Sequence, residues 1–156
     1  MRTARLYSDL HLEFNGPVID PGKGDNLFLA GDILTARNLN RDESSPKRQR
    51  YLDFIETCSK NYTNVFYVAG NHEHYGYDVA RSVDAIRNAL EPFPNVHFLN
   101  GNEYAFDDHV VLGTTFWTNL KNNDPIVKWD VERYMHDFRV IRVNNRRFTD
   151  RKSTRL

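Results

Sequence analysis

Val65-Phe66-Tyr67-Val68-Ala69-Gly70-Asn71-His72-Glu73 begins as an unbroken apolar run and stops at a glycine, an amide, an imidazole and a carboxylate. An apolar run of this length reads as a strand covered on both faces. Such strands belong to largely parallel sheets flanked by helices, whose functional loops lie at the carboxyl ends of the strands. The same pattern occurs twice upstream, where Ala4–Tyr7 leads into Ser8-Asp9-Leu10-His11 and Leu27–Ala30 leads into Gly31-Asp32. Three strands ending in polar clusters predict an α/β fold with its chemistry gathered along one edge of the sheet.

The segments between these strands carry helical periodicity. Tyr51, Phe54, Ile55, Cys58 and Tyr62 recur at helical spacing after Ser44-Ser45-Pro46, which supplies a start signal and places Cys58 in the core. Val79, Val83, Ile86 and Leu90 mark a second helix, with Asp78 as its N-cap and Pro92 beyond its end. Val96–Leu99, Tyr104–Phe106 and His109–Phe116 read as short strands. The last two are joined across Asp107-Asp108 as a tight hairpin, so antiparallel topology is expected from this point on. Val131, Tyr134, Met135, Phe138 and Ile141 predict a third helix from Trp129 to Ile141, and Asn38–Lys47 is polar enough for a mobile loop.

At 156 residues the chain suits one domain, and 40% hydrophobic with 27% charged residues is ordinary globular composition. No stretch approaches the ~20 apolar residues of a membrane span, and the charged N-terminus lacks the apolar core of a secretory signal, so a cytoplasmic protein is expected. Cys58 is the only cysteine, which excludes an intrachain disulfide and a thiolate metal cluster. The net charge of zero conceals an asymmetry: residues 139–156 hold seven Lys and Arg side chains against Asp150 alone, so the body is acidic. A body over residues 1–142 followed by a basic tail over 143–156 is the expected organisation. The acidic body suits cations. The tail reads as a solvated terminus, with a nucleic-acid arm as the alternative, since Phe148 is its only stacking aromatic.

The loop residues themselves suggest a metal site. Asp9 and His11, two apart at the exit of a strand, converge on one ion. Gly31 lets the backbone come close enough for Asp32 to reach inward, and Asn71 offers a neutral carbonyl oxygen beside His72. Hard oxygen and imidazole ligands favour manganese, iron or zinc, without choosing among them.

In their order and spacing, Asp9-x-His11, Gly31-Asp32 and Gly70-Asn71-His72-Glu73 resemble the motif series of calcineurin-like metallophosphoesterases. Ser8–Phe14 and Gly113–Thr118 resemble the small bacterial and phage branch of that family. The resemblance implies a partial α/β/β/α sandwich, a mixed sheet flanked by helices, acting on phosphomonoesters or phosphodiesters. It implies that Asp9, His11 and Asp32 bind a first divalent ion, that Asp32 bridges to a second, that Asn71 binds the second, and that His72 is the catalytic imidazole. In the implied mechanism a hydroxide between the ions attacks phosphorus in line.

His74 and Tyr75 are open to two readings, lining the substrate pocket or capping the loop, whereas Glu73 reads as a hydrogen-bond anchor. The family continues to a Gly-His and a Gly-His-x-His motif, and neither occurs here, so the chain reads as C-terminally truncated. His97 and His109 read as structural or solvent-facing, and His136, beside Asp137, as the better candidate ligand among the remaining histidines. Some branches place an acid three residues after the bridging Asp to orient the catalytic imidazole, where this chain has Thr35. With the two histidine motifs missing, one or two ions are expected here. Exposed strand edges and apolar surface are expected to drive self-association or pairing with a complementing chain. The alternative function is a non-catalytic metal-binding remnant serving as a binding or assembly module.

Overall fold

The computed structural model describes residues 2–40, 44–117 and 120–148. Four strands, β1 (Ala4–Tyr7), β2 (Gly24–Ala30), β3 (Tyr62–Val68) and β4 (Val96–Leu99), form a parallel sheet in the order β1-β2-β3-β4. The register aligns Tyr7 with Leu29 and Ala30 with Val68, so the first three strands end side by side. Helix α1 (Pro46–Asn61) carries the chain from β2 to β3, and α2 (Val79–Leu90) carries it from β3 to β4. Each crossover therefore joins neighbouring parallel strands.

Alternation along β3 divides the core. Val65 and Tyr67 pack with Leu27, Leu29, Tyr51, Ile55 and Ile86 under the two helices, while Phe66 stacks on Phe28 at 5.1 Å on the opposite face. Cys58 is fully buried on α1, and burial pushes its thiol up to about 12, as befits a core residue. Asp78 caps α2 by accepting from the Ala80 amide at 3.1 Å.

A hairpin of β5 (Asn102–Phe106) and β6 (His109–Gly113) turns at Asp107, whose φ is 47°, and lays Tyr104 and Phe106 against Phe66. Parallel and antiparallel strands flanked by helices give the mixed sandwich architecture expected from the sequence. Two expectations need correction. Val96–Leu99 is not antiparallel: it pairs parallel with β3, because α2 returns the chain to the start of the sheet, and the reversal begins one strand later. The helix expected from Trp129 to Ile141 is two helices. After the irregular turn α3 (Leu120–Asn123), α4 (Pro125–Tyr134) stops where Met135 turns extended (ψ 130°), and α5 (Asp137–Val140) restarts beyond it. Beyond the break, Asp137 accepts from Asn71 and the Val140 carbonyl accepts from the Gly76 amide, while Tyr134 stays in solvent.

The segment read as a tail from residue 143 begins folded. β7 (Arg142–Val143) and β8 (Arg146–Arg147) pair through Asn144-Asn145, whose φ values of 52° and 62° suit a tight hairpin turn. Phe148 is then buried beside Trp117 and Phe138, and the rest of that segment lies outside the described residues. So do Asn119, whose amide the sequence offers as a group able to approach phosphate, and part of the loop after Leu39. Asn38, at the start of that loop, is buried and donates to the Thr35 and Tyr51 hydroxyls at 2.6 and 3.2 Å.

Candidate metal centre

Because β1, β2 and β3 end level, their exit loops touch one another. The first two continue to pair beyond the strands: the Asp9 amide donates to the Gly31 carbonyl (3.1 Å), His11 to Asp32 (2.9 Å) and Leu12 to Ile33 (2.8 Å). Loops two and three meet backbone to backbone, and a Cβ on Gly31 would come within 2.8 Å of Gly70. Asp9, His11 and Asp32 all adopt left-handed backbone, with φ of 56°, 46° and 54°. That conformation is uncommon for residues with a side chain and gathers at functional sites, where the surrounding structure holds it in place. Here it turns three successive donors toward one another, and ligand atoms of Asp9, His11 and Asp32 lie within 4.8 Å of each other.

Glu73 ties these loops together. Its buried carboxylate accepts from the amides of Asp32 (3.0 Å), Ile33 (2.8 Å) and Gly70 (2.7 Å) and from the Tyr67 hydroxyl (2.9 Å). Burial raises its pKa, and these donors oppose the rise. Glu73 is thus the anchor expected of it. Glu73→Ala strands several buried donors, each costing about 1–3 kcal/mol. A urea-unfolding series is expected to show a loss of more than about 3 kcal/mol, with the three exit loops the first to lose protection from hydrogen exchange.

The third loop adds Asn71 and His72. The His72 amide donates to Asp32 Oδ1 at 2.9 Å. Its ring stacks on Tyr75, with centroids 4.0 Å apart, and its Nδ1 lies 3.0 Å from Glu13 Oε1. Asn71 Nδ2 donates to Asp137 Oδ1 at 2.6 Å and to the Tyr75 hydroxyl at 3.2 Å. Burial, with Asp137 nearby, pushes that hydroxyl up to about 12, so it stays protonated. A groove of about 550 Å³ runs along the loops, with Asp9, Asp32, Asn71 and Asp137 on its polar side and Phe116 and Trp117 on its apolar side.

Asp9, His11, Asp32, Asn71, His72 and Tyr75 therefore come together, and His74 does not join them. It is 2% exposed, its ring lies 6.0 Å from that of Trp117, and its Nδ1 is buried with no hydrogen-bond partner among the described residues. Burial lowers its pKa from 6.5 to about 4, against the opposing pull of Asp78. Between those values the unfolded chain binds a proton that the folded one refuses. The stability His74 contributes is complete above pH 6.5 and is lost as pH falls toward 4, by roughly 3 kcal/mol. Urea midpoints at pH 7 and 4.5 are expected to converge in His74→Gln relative to the parent chain.

Two residues at the site escaped the sequence reading. Glu13 was legible in principle, since it sits two residues after His11 in an alternating Leu-His-Leu-Glu segment. It meets both imidazoles, whereas Thr35 is turned into the core against Asn38 and Tyr51. Asp137 had no local signal, because its partner Asn71 is 66 residues away. The neighbouring His136, the better candidate among the later histidines, is exposed, with its ring 5.7 Å from that of Tyr75. His97 stacks on Tyr104 at 3.7 Å, and His109 is exposed.

The donor set fits a divalent cation. Two carboxylates and an imidazole whose ligand atoms lie within 4.8 Å of one another are the hard oxygen and imidazole donors that suit such an ion. A profile of calcineurin-like phosphoesterases matches residues 3–150. The chain belongs to the calcineurin-like phosphoesterase family. This family member is 28% identical over 168 residues to the uncharacterized protein L509 of Acanthamoeba polyphaga mimivirus, a match spanning 96% of the chain and 55% of L509. Its fold is also similar to that of the phosphopantetheinyl hydrolase PptH of Mycobacterium tuberculosis, with a TM-score of 0.57 and 16% identity over 97% of the chain and 58% of PptH. The chain thus spans little more than half the length of either relative. Among the described residues no helix is long and apolar enough to cross a membrane.

Proposed function

We propose that this chain carries the metal-binding half-site of a metal-dependent phosphoesterase. Asp9, His11 and Asp32 hold a first divalent ion, Asp32 and Asn71 face a second, and His72 faces the leaving group. The observation that carries the reading is the convergence of Asp9, His11 and Asp32 within 4.8 Å, each in left-handed backbone. Bound ions of the manganese, iron or zinc class would supply Lewis acidity for phosphate-ester hydrolysis. The protein's own part is positional. Glu73 fixes the loops, Tyr75 supports the His72 ring from one face, and the groove admits an ester between Asp32 and the apolar wall of Phe116 and Trp117.

The test is metal content by elemental analysis, followed by turnover of chromogenic phosphate monoesters and diesters with added manganese, iron or zinc. Retention of at least one ion and metal-dependent release of the chromophore are expected. A chain that retains no ion and turns over neither ester in any of the three metals rules the reading out.

The apolar surface supports the expected association. Leu6 is 64%, Leu112 76% and Phe116 97% exposed, on the unpartnered edge strand, the hairpin and the groove wall. Light scattering is expected to give a mass above that of one chain, and Leu112→Lys with Phe116→Lys is expected to shift it toward the monomer.

A further inference from the structure

Glu13 Oε1 lies 3.1 Å from His11 Nδ1 and 3.0 Å from His72 Nδ1, two imidazoles supplied by loops 61 residues apart in the chain. The two rings meet edge to face with centroids 4.4 Å apart. The Glu13 side chain is 9% exposed, and its other oxygen, Oε2, is buried with no hydrogen-bond partner among the described residues. An orphaned buried carboxylate oxygen is destabilising, so a residue placed this way is held for what its other oxygen does. The chain is built to put it there. His11 turns left-handed, Leu12 is buried and hydrogen-bonded to Ile33, and the Phe14 amide closes a turn onto the His11 carbonyl, which directs Glu13 back toward the rings.

A carboxylate accepts hydrogen bonds and donates none, so each ring nitrogen facing it carries the hydrogen. In a neutral imidazole the lone pair is then on Nε2, at the far side of the ring. We propose that Glu13 is a positioning residue that sets the tautomer of both imidazoles at once. It holds Nδ1–H on His11 and on His72, so that His11 presents its Nε2 lone pair as a ligand atom and His72 keeps Nε2 as the atom that takes up a proton from solvent, giving the imidazolium, and passes it to the departing oxygen. This rests on the phosphoesterase reading for what the two nitrogens do, and on the hydrogen-bond geometry alone for which nitrogen bears the proton. It also accounts for Thr35: the acid that supports the imidazole comes from the first loop and serves the metal ligand as well. Outer partners of this kind orient metal-bound histidines and typically change affinity by about 10- to 100-fold when removed.

The test uses the histidine-labelled chain without metal, in which long-range nitrogen–proton correlation spectra report the tautomer of each ring. Wild type is expected to show His11 and His72 both protonated on Nδ1. Glu13→Ala is expected to release both rings to the Nε2–H form, and Glu13→Gln, which keeps an acceptor oxygen, to preserve the wild-type pattern. Manganese affinity is expected to fall about 10- to 100-fold in Glu13→Ala and to recover in Glu13→Gln. Nε2–H tautomers in wild type, or wild-type tautomers in Glu13→Ala, overturn the proposal. So does zinc titration that removes the Nδ1 protons of both rings together, since Glu13, His11 and His72 would then be a ligand set of their own. If Glu13→Ala does not fold, the wild-type and Glu13→Gln spectra still decide. If the tautomers are as expected but wild type binds no ion, the phosphoesterase reading fails and the tautomer assignment stands.

Discussion

Replacing Asp32 by alanine is expected to empty the metal centre and to lower turnover of a chromogenic phosphate ester by more than about 10³-fold, since the lost cation chemistry is worth several kcal/mol and each 1.36 kcal/mol is tenfold. Asp32 is placed to have this effect because it belongs to every part of the site. Its carboxylate is one of the three donors that converge within 4.8 Å, the same group accepts from the His72 amide at 2.9 Å, and its own amide is held by Glu73 at 3.0 Å. Removing the side chain takes away a ligand and loosens the loop that carries His72. Asp32→Asn separates these effects. It keeps an oxygen to accept from His72 and tolerates the left-handed backbone that Asp32 adopts, but it brings no charge to the ion. Elemental analysis is expected to find less than about a tenth of the wild-type metal in Asp32→Ala, and a weak but measurable affinity in Asp32→Asn. Full metal content in Asp32→Ala would remove this carboxylate from the site.

The sequence exposed those parts of the molecule that are written locally. Apolar runs and helical spacing located β2, β3, α1 and α2, because each buries a continuous or periodic face, whereas β1, read the same way, is an edge strand that leaves Ala4, Arg5 and Leu6 exposed. The candidate ligands were readable for the same reason: each follows a strand directly, so its place along the sheet edge is set by strand register. What was not readable is tertiary. The direction of β4 depends on how α2 packs, and a four-residue strand carries no mark of it. The split between α4 and α5 is invisible in Val131, Tyr134, Met135, Phe138 and Ile141, whose spacing suits one helix, because it is enforced by Asp137 and Phe138 docking against the third loop and the Val79–Ile141 cluster. Asp137 thereby reaches Asn71, a contact across 66 residues with no counterpart in local pattern. His74 shows the converse: within the motif it was open to a pocket-lining or a loop-capping reading, and the structure buries it beside Trp117.

His72→Ala is expected to behave differently from Asp32→Ala, and the difference is the sharper test of how the site works. The His72 side chain reaches Glu13 and Tyr75, while its backbone amide, which survives the substitution, is the group that holds Asp32. Metal content is therefore expected to stay near that of the wild type, within about threefold, while kcat falls about 10²- to 10⁴-fold, the usual contribution of a positioned acid–base group. The size of the loss should depend on the leaving group. A nitrophenolate departs without a proton, whereas an alkoxide needs one, so a group that protonates the departing oxygen matters more for an alkyl ester than for a nitrophenyl ester. The ratio of wild-type to His72→Ala kcat is expected to be at least about tenfold larger for the alkyl substrate, corresponding to one more factor of 1.36 kcal/mol in transition-state stabilisation. An equal loss on both esters would mean that His72 stabilises charge on the phosphoryl oxygens without moving a proton. Loss of metal from His72→Ala would mean instead that the ring is needed to shape the Asp9, His11 and Asp32 donors, through Glu13, which touches His11 and His72 alike.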